Sequence, residues 1–155
     1  MNTIFIDADA CPVKNEIYKI AERFKLPVVV VANSPMRLPD EEWIDFVLVD
    51  KTSDAADNWI MEQVQANDFI ITQDILLAER CIKEASAHAI SPVGKLFTEA
   101  NIGEAIASRE LMERLRGWGM EQSGGPAPFQ KADRSRFLHV FHALIEKVLR
   151  EQNQR

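Results

Sequence analysis

Five short, mostly apolar runs punctuate the first ninety residues: TIFID at 3–7, PVVVVA at 27–32, FVLV at 46–49, FIIT at 69–72 and, more weakly, HAIS at 88–91. Each is too short for an ordinary helix, and most are apolar at consecutive rather than alternate positions. A strand with one wet face alternates. A strand apolar on both faces has to be covered on both, which is the situation of a parallel strand inside an α/β sheet. The gaps carry helical spacing instead. Over 12–24, Pro12 suits the first helical position, and Val13, Ile17, Ile20, Ala21 and Phe24 share one face. Ile60 and Val64 repeat at i, i+4 over 54–66, and Leu77, Cys81 and Ala85 do so over 75–85. Strands alternating with helices predict right-handed βαβ units and a three-layer α/β/α fold around a mostly parallel central sheet. The segment 33–45, with two prolines and a group of acids, reads as a loop or a single helical turn.

The last third reads as helical. Asn101 followed by Glu104 has capping-box spacing and opens a predicted helix to about residue 117. Residues 117–133 carry four glycines and two prolines and predict an irregular stretch; a final helix is predicted over about 134–152. One helix beyond that stretch could not fold alone, so the 155 residues are expected to form one domain, with 101–155 as a helical extension holding a Gly/Pro-rich loop. No apolar run reaches the roughly 18 residues of a membrane span, and the first residues lack the basic, apolar and small-residue segments of a secretory leader. Cys11 and Cys81 are too few for a disulfide framework or a cysteine-based zinc site. A cytoplasmic protein without membrane association is the expectation.

Charge is unevenly spread. Residues 1–100 hold 9 Lys and Arg against 17 Asp and Glu, whereas residues 101–155 hold 9 against 7. The acids that matter sit at strand ends: Asp7 and Asp9 after the first strand, Asp54 and Asp57 at the start of the helix after the third, and Asp74 after FIIT. In a parallel sheet these positions fall along one edge, where open α/β sheets bind ligands. Each has an ordinary explanation too, since aspartate at a helix start satisfies free amides and complements the helix dipole. Five carboxylates at one edge require a counter-charge, and oxygen ligands of this kind suit Mg²⁺ or Mn²⁺, which leave room for substrate phosphates. Asp68, before FIIT, lies at the opposite end and reads as a turn residue.

Other features are weaker. Cys11 precedes a helix start, where a thiol can be activated, but a small capping residue is the commoner use. Cys81 reads as core, and His139 and His142 read as neighbours on an exposed helix face. Arg109, Arg116, Lys131, Arg134 and Arg136 flank the glycine-rich stretch; Arg109, Arg134, Gly124 and Gly125 are candidate phosphate contacts. Trp118 and Phe129 could stack on bases or anchor the loop.

The segments FIDADACPVK, SDAADNWI, DFIITQDILLAERC, NIGEAIASRELMERLRGWG and GGPAPFQKADRSRF, in that order, resemble the YaiI/YqxD family of uncharacterised bacterial proteins over essentially the whole chain. More distantly the pattern resembles the PIN-like nucleases, including their NYN branch. That resemblance implies a metal-dependent nuclease acting on RNA or other nucleic acid, with Asp7, Asp57 and Asp74 as catalytic acids and metal ligands. Asp9 and Asp54 would be additional ligands or would position water. Ile75 and Leu76 stand where those enzymes often have a second acid, and Asp9 is an extra carboxylate. Two other readings stay beside it. One is a non-catalytic domain that keeps the fold and binds nucleic acid or protein. The other is a haloacid-dehalogenase-like phosphatase, suggested by IFIDADA and Thr72; it lacks the later acidic pair that would hold Mg²⁺.

Overall fold

The strand IFID explains why both sides of the sheet are covered. Ile4 and Ile6 point to one face and Phe5 to the other, and all three are buried. In the computed structural model, which describes residues 2–9, 11–52, 54–119 and 128–154, that strand is β1 (Ile4–Asp7) at the centre of a six-stranded sheet. The elements follow as α1 (Lys14–Phe24), β2 (Val28–Ala32), β3 (Ile44–Leu48), α2 (Ala55–Gln63), β4 (Phe69–Ile71), α3 (Ile75–Ala85), β5 (His88–Ile90), β6 (Leu96–Phe97), α4 (Glu99–Gly117) and α5 (Lys131–Asn153). The strand order is β3-β2-β1-β4-β5-β6. The first five strands are parallel, and β6 pairs antiparallel with β5.

The two faces have separate cores. Ile4, Ile6, Val28, Val30 and Ile71 pack with Ile17, Ile20 and Ala21 of α1 and with Phe137, Phe141 and Ile145 of α5. On the other face Phe5, Val31 and Ile70 meet Ile60 of α2 and Leu77 and Cys81 of α3. Farther along it, Ala89 and Phe97 meet Ala78 and Ile82 of α3 and Ile102 of α4. The fold is therefore the expected α/β/α sandwich. At the amino-terminal edge Asp68 ties the turn together, with Oδ1 accepting from the Thr3 N–H at 2.9 Å and Oδ2 from the Gln65 N–H at 2.8 Å.

Several local expectations shift. Pro12 does not open α1: the Cys11 N–H bonds to Ala8 O in a turn, Val13 is the N-cap and Lys14 the first helical residue. Cys11 is accordingly buried in that turn and caps nothing. The capping box of α4 lies one turn earlier than expected and pairs Thr98 with Asn101: the Asn101 N–H donates to Thr98 Oγ1 at 3.1 Å, and the Thr98 N–H to Asn101 Oδ1 at 2.8 Å. Thr98 wins because its backbone is extended after β6, as an N-cap must be. The last helix begins at Lys131, where Gln130 and Asp133 form the reciprocal pair.

β6 exists because the chain reverses after β5 at Gly94, whose φ of +87° favours glycine. A Cβ there would lie 2.9 Å from the backbone of Arg136 and Phe137 at the start of α5. Gly94→Ala is expected to lower stability by about 2–3 kcal/mol, combining the left-handed strain with that clash. The midpoint of urea unfolding reads this directly, with an unchanged slope. A midpoint equal to wild type would contradict the packing of α5 against this turn.

Candidate functional site

The sheet order reverses between β1 and β4: the chain builds outward from β1 to β2 and β3, then returns to place β4 on the other side. Such a switch point parts the loops leaving the carboxyl ends of the two strands and opens a crevice. Asp7 ends β1 on one side of it. Thr72, fully buried, follows β4 on the other, and its hydroxyl donates to Asp7 Oδ2 at 2.8 Å. Thr72 Oγ1 in turn accepts the Asp74 N–H at 2.9 Å. Thr72 therefore fixes one carboxylate by its side chain and the next acid by its backbone. Asp74 is the N-cap of α3, its Oδ1 accepting from the Leu76 N–H at 2.9 Å and the Leu77 N–H at 3.4 Å. Asp57 projects from the first turn of α2.

These three acids, distant in sequence, line one cleft of about 490 Å³ together with Asp9, Asp50, Lys51 and Arg109. Burial pushes the Asp7 carboxyl above its ordinary value; the Thr72 hydrogen bond opposes this, and the charges of Asp74 and Asp9 add to it. Burial likewise pushes Asp57 up, to about 7, helped by the charge of Asp74, a side-chain hydrogen bond to Asp74, and the charges of Asp7 and Asp54. A protonated Asp57 donates in that bond.

The consequence for stability has a definite sign. Folded Asp57 keeps its proton up to about pH 7, whereas the unfolded side chain releases it near 3.8, so folding weakens as pH rises through that window. Asp57→Asn removes the penalty. With allowance for solvent screening at a half-buried group, about 1–2 kcal/mol is at stake, and the variant is expected to melt roughly 3–6 °C higher than wild type at pH 8 and to match it near pH 4. Melting profiles that stay parallel from pH 4 to 8 would contradict the crowding of these acids.

The other sequence candidates divide. Asp9 lines the cleft, but both its oxygens accept the Asn33 N–H, at 3.0 and 3.2 Å, which ties the loop after β1 to the loop after β2. Asp54 is the N-cap of α2, makes no side-chain capping bond, and acts on the cleft through its charge on Asp57. Arg109 lines the cleft and pairs with Glu113 at 3.2 Å. Arg134 does not line it: its guanidinium bonds Glu16 and the Pro12 carbonyl, pinning α5 to the start of α1. Gly124 and Gly125 lie outside the described residues. Asp50, Lys51 and Asn33 were not singled out from sequence, although applying the same strand-end rule to β2 and β3 finds them. Among the described residues no three His, Cys, Asp or Glu side chains are disposed to hold a metal ion unaided.

A family model for the uncharacterised YaiI/YqxD family matches residues 5–147. The chain belongs to that family. Among its YaiI/YqxD relatives, the UPF0178 protein of Sphingopyxis alaskensis is 50% identical over 95% of both chains. That of Rhodopseudomonas palustris strain TIE-1 is 47% identical over 98% of this chain and 95% of its own, and that of Azorhizobium caulinodans is 49% identical over 96% and 92%. No solved structure matches. The YaiI/YqxD match spans the cleft residues from Asp7 to Arg109, but the relatives' names carry no activity. Among the described residues no helix is long and apolar enough to cross a membrane.

Proposed function

We propose that this chain is a divalent-metal-dependent phosphodiesterase acting on RNA or another nucleic acid. The observation that supports it is the gathering of Asp7, Asp57 and Asp74 at the switch-point cleft, close enough that Asp57 is pushed up to about 7. Carboxylates brought together at such an electrostatic cost mark a site arranged for chemistry or for a cation. Hard oxygen donors suit Mg²⁺ or Mn²⁺. Without a ready three-ligand cage, the fit is the mode in which one or two carboxylates hold the ion while waters and substrate oxygens complete its shell. When bound, such an ion stabilises charge on a phosphoryl group and makes water a stronger nucleophile at neutral pH.

The chain's own residues have distinct roles in this reading. Asp7 and Asp74 hold the ion, Asp7 in an orientation set by Thr72. Asp57, on the first turn of α2 and lining the same cleft as the other two acids, accepts the proton of the attacking water. Asp9 and Asp54 contribute negative potential and position water. Arg109 and Lys51, the cations of the cleft, bind the phosphate. The water oxygen bonds to phosphorus as the P–O ester bond breaks, and the leaving oxygen takes up a proton from solvent, with no covalent enzyme intermediate.

Incubation of the full chain with a fluorescently labelled single-stranded oligoribonucleotide tests this. Cleavage is expected with Mn²⁺ or Mg²⁺ and is expected to stop on chelation. Retention of the RNA without cleavage under either ion would overturn the hydrolytic reading and leave a binding domain.

A further inference from the structure

A second cavity, of about 630 Å³, adjoins the acidic cleft, and Gln73 and Ile75 line both. Its character is the reverse of its neighbour's. Phe97, Phe129, Pro92 and Val93 make its walls, and the charged side chains on it, Lys14 and Lys95, are both positive. Lys95 Nζ lies 5.9 Å from the Phe97 ring centre, and Lys14 Nζ donates to Cys11 O at 2.8 Å. We propose that this cavity is a nucleobase subsite. On this view it receives a base of a single strand whose scissile phosphate lies in the acidic cleft. The inference rests on the phosphodiesterase reading and adds to it a substrate form, the unpaired strand.

The chemistry of the two compartments carries the assignment. A nucleotide is a flat, uncharged aromatic ring joined to a phosphate, and the surface beside the acids offers an aromatic wall with cations next to it. Stacking on Phe129 needs the base splayed out of any duplex, so single strands are favoured whatever their sequence. The Phe129 ring is also held in place: the Arg134 guanidinium lies 5.1 Å from its centre and is itself tied to Glu16 and the Pro12 carbonyl. Arg134 is thus a positioning residue for the stacking platform rather than a phosphate contact. Lys14 and Lys95 neutralise the phosphates flanking the bound base. A volume of this size falls in the usual range for small-molecule sites, ample for one base.

The test uses the full chain carrying Asp74→Asn to remove hydrolysis, with Mn²⁺ present, and fluorescence anisotropy of labelled eight-nucleotide strands. An oligouridylate is expected to bind about tenfold tighter than a strand of the same length made of abasic residues. Phe129→Ala is expected to erase that difference. Val93→Glu, at a position 39% exposed and so tolerant of a polar side chain, is expected to erase it as well. Lys95→Glu should weaken both strands alike, and an RNA duplex should bind at least tenfold more weakly than the single strand. Equal affinity for the uridylate and abasic strands, a difference that survives both pocket variants, duplex binding as tight as single-strand binding, or no binding at all would each overturn the subsite. A base-dependent affinity in a wild-type protein that cleaves nothing would instead sink the hydrolytic reading and leave the subsite standing.

Discussion

Asparagine in place of Asp7 is expected to reduce cleavage of a single-stranded oligoribonucleotide by on the order of 10²–10³-fold, the usual cost of removing one preorganised charge from a site where transition-state charge develops. The substitution keeps the shape of the side chain, and its amide oxygen can still accept the Thr72 hydroxyl bond seen at 2.8 Å. Burial and the charges of Asp74 and Asp9 already disfavour the Asp7 anion, so a neutral side chain there relieves repulsion rather than adding it. The variant should therefore melt at or above the wild-type temperature while losing activity. Initial rates at saturating Mn²⁺, measured beside thermal melting, separate the two effects. Activity within a few-fold of wild type in a folded protein would remove Asp7 from the chemistry.

The largest expected change in stability lies far from the cleft. Phe141→Ala is expected to cost about 3–5 kcal/mol, a substantial part of the 5–15 kcal/mol that holds a domain of this kind together. Phe141 is fully buried, with its ring 5.9 Å from that of Phe69 in an edge-on arrangement and 5.3 Å from that of Phe137. Ile145, Val148 and the strand residues of the same core are themselves packed and buried, which limits how far they can move into the resulting space. Urea unfolding measures it. A loss below 1 kcal/mol would mean that α5 is loosely applied to the sheet rather than one wall of its core.

Much of this architecture was readable because parallel strands covered on both faces leave an unmistakable trace: PVVVVA and FIIT have no wet side to record. β6 left none. It has two residues, runs antiparallel, and depends on the Gly94 reversal and on packing of the Phe97 ring against Ile102. The α4 cap was misplaced by one turn because Asn101 can serve both as a cap and as the third residue of a capping box, and only the extended backbone at Thr98 decides between them. At the site, Asp7, Asp57 and Asp74 could be grouped from strand ends alone. Thr72 and Asn33 also follow strand ends, but their roles were not legible there: they depend on hydrogen bonds to Asp7 and Asp9, residues 65 and 24 positions away. For Arg134, nearness in sequence to a glycine-rich loop suggested phosphate binding, and the fold turns its guanidinium toward Glu16 and Phe129, away from the acidic cleft.

Crystals of the wild-type chain soaked in Mn²⁺ and measured at the manganese absorption edge test most directly whether the carboxylates of the switch-point cleft form a cation site. An anomalous peak in the cleft, with Asp7 and Asp74 among its oxygen ligands, is the predicted result. A cleft without a peak, in crystals whose Asp7, Asp57 and Asp74 are ordered and reachable by solvent, would contradict it.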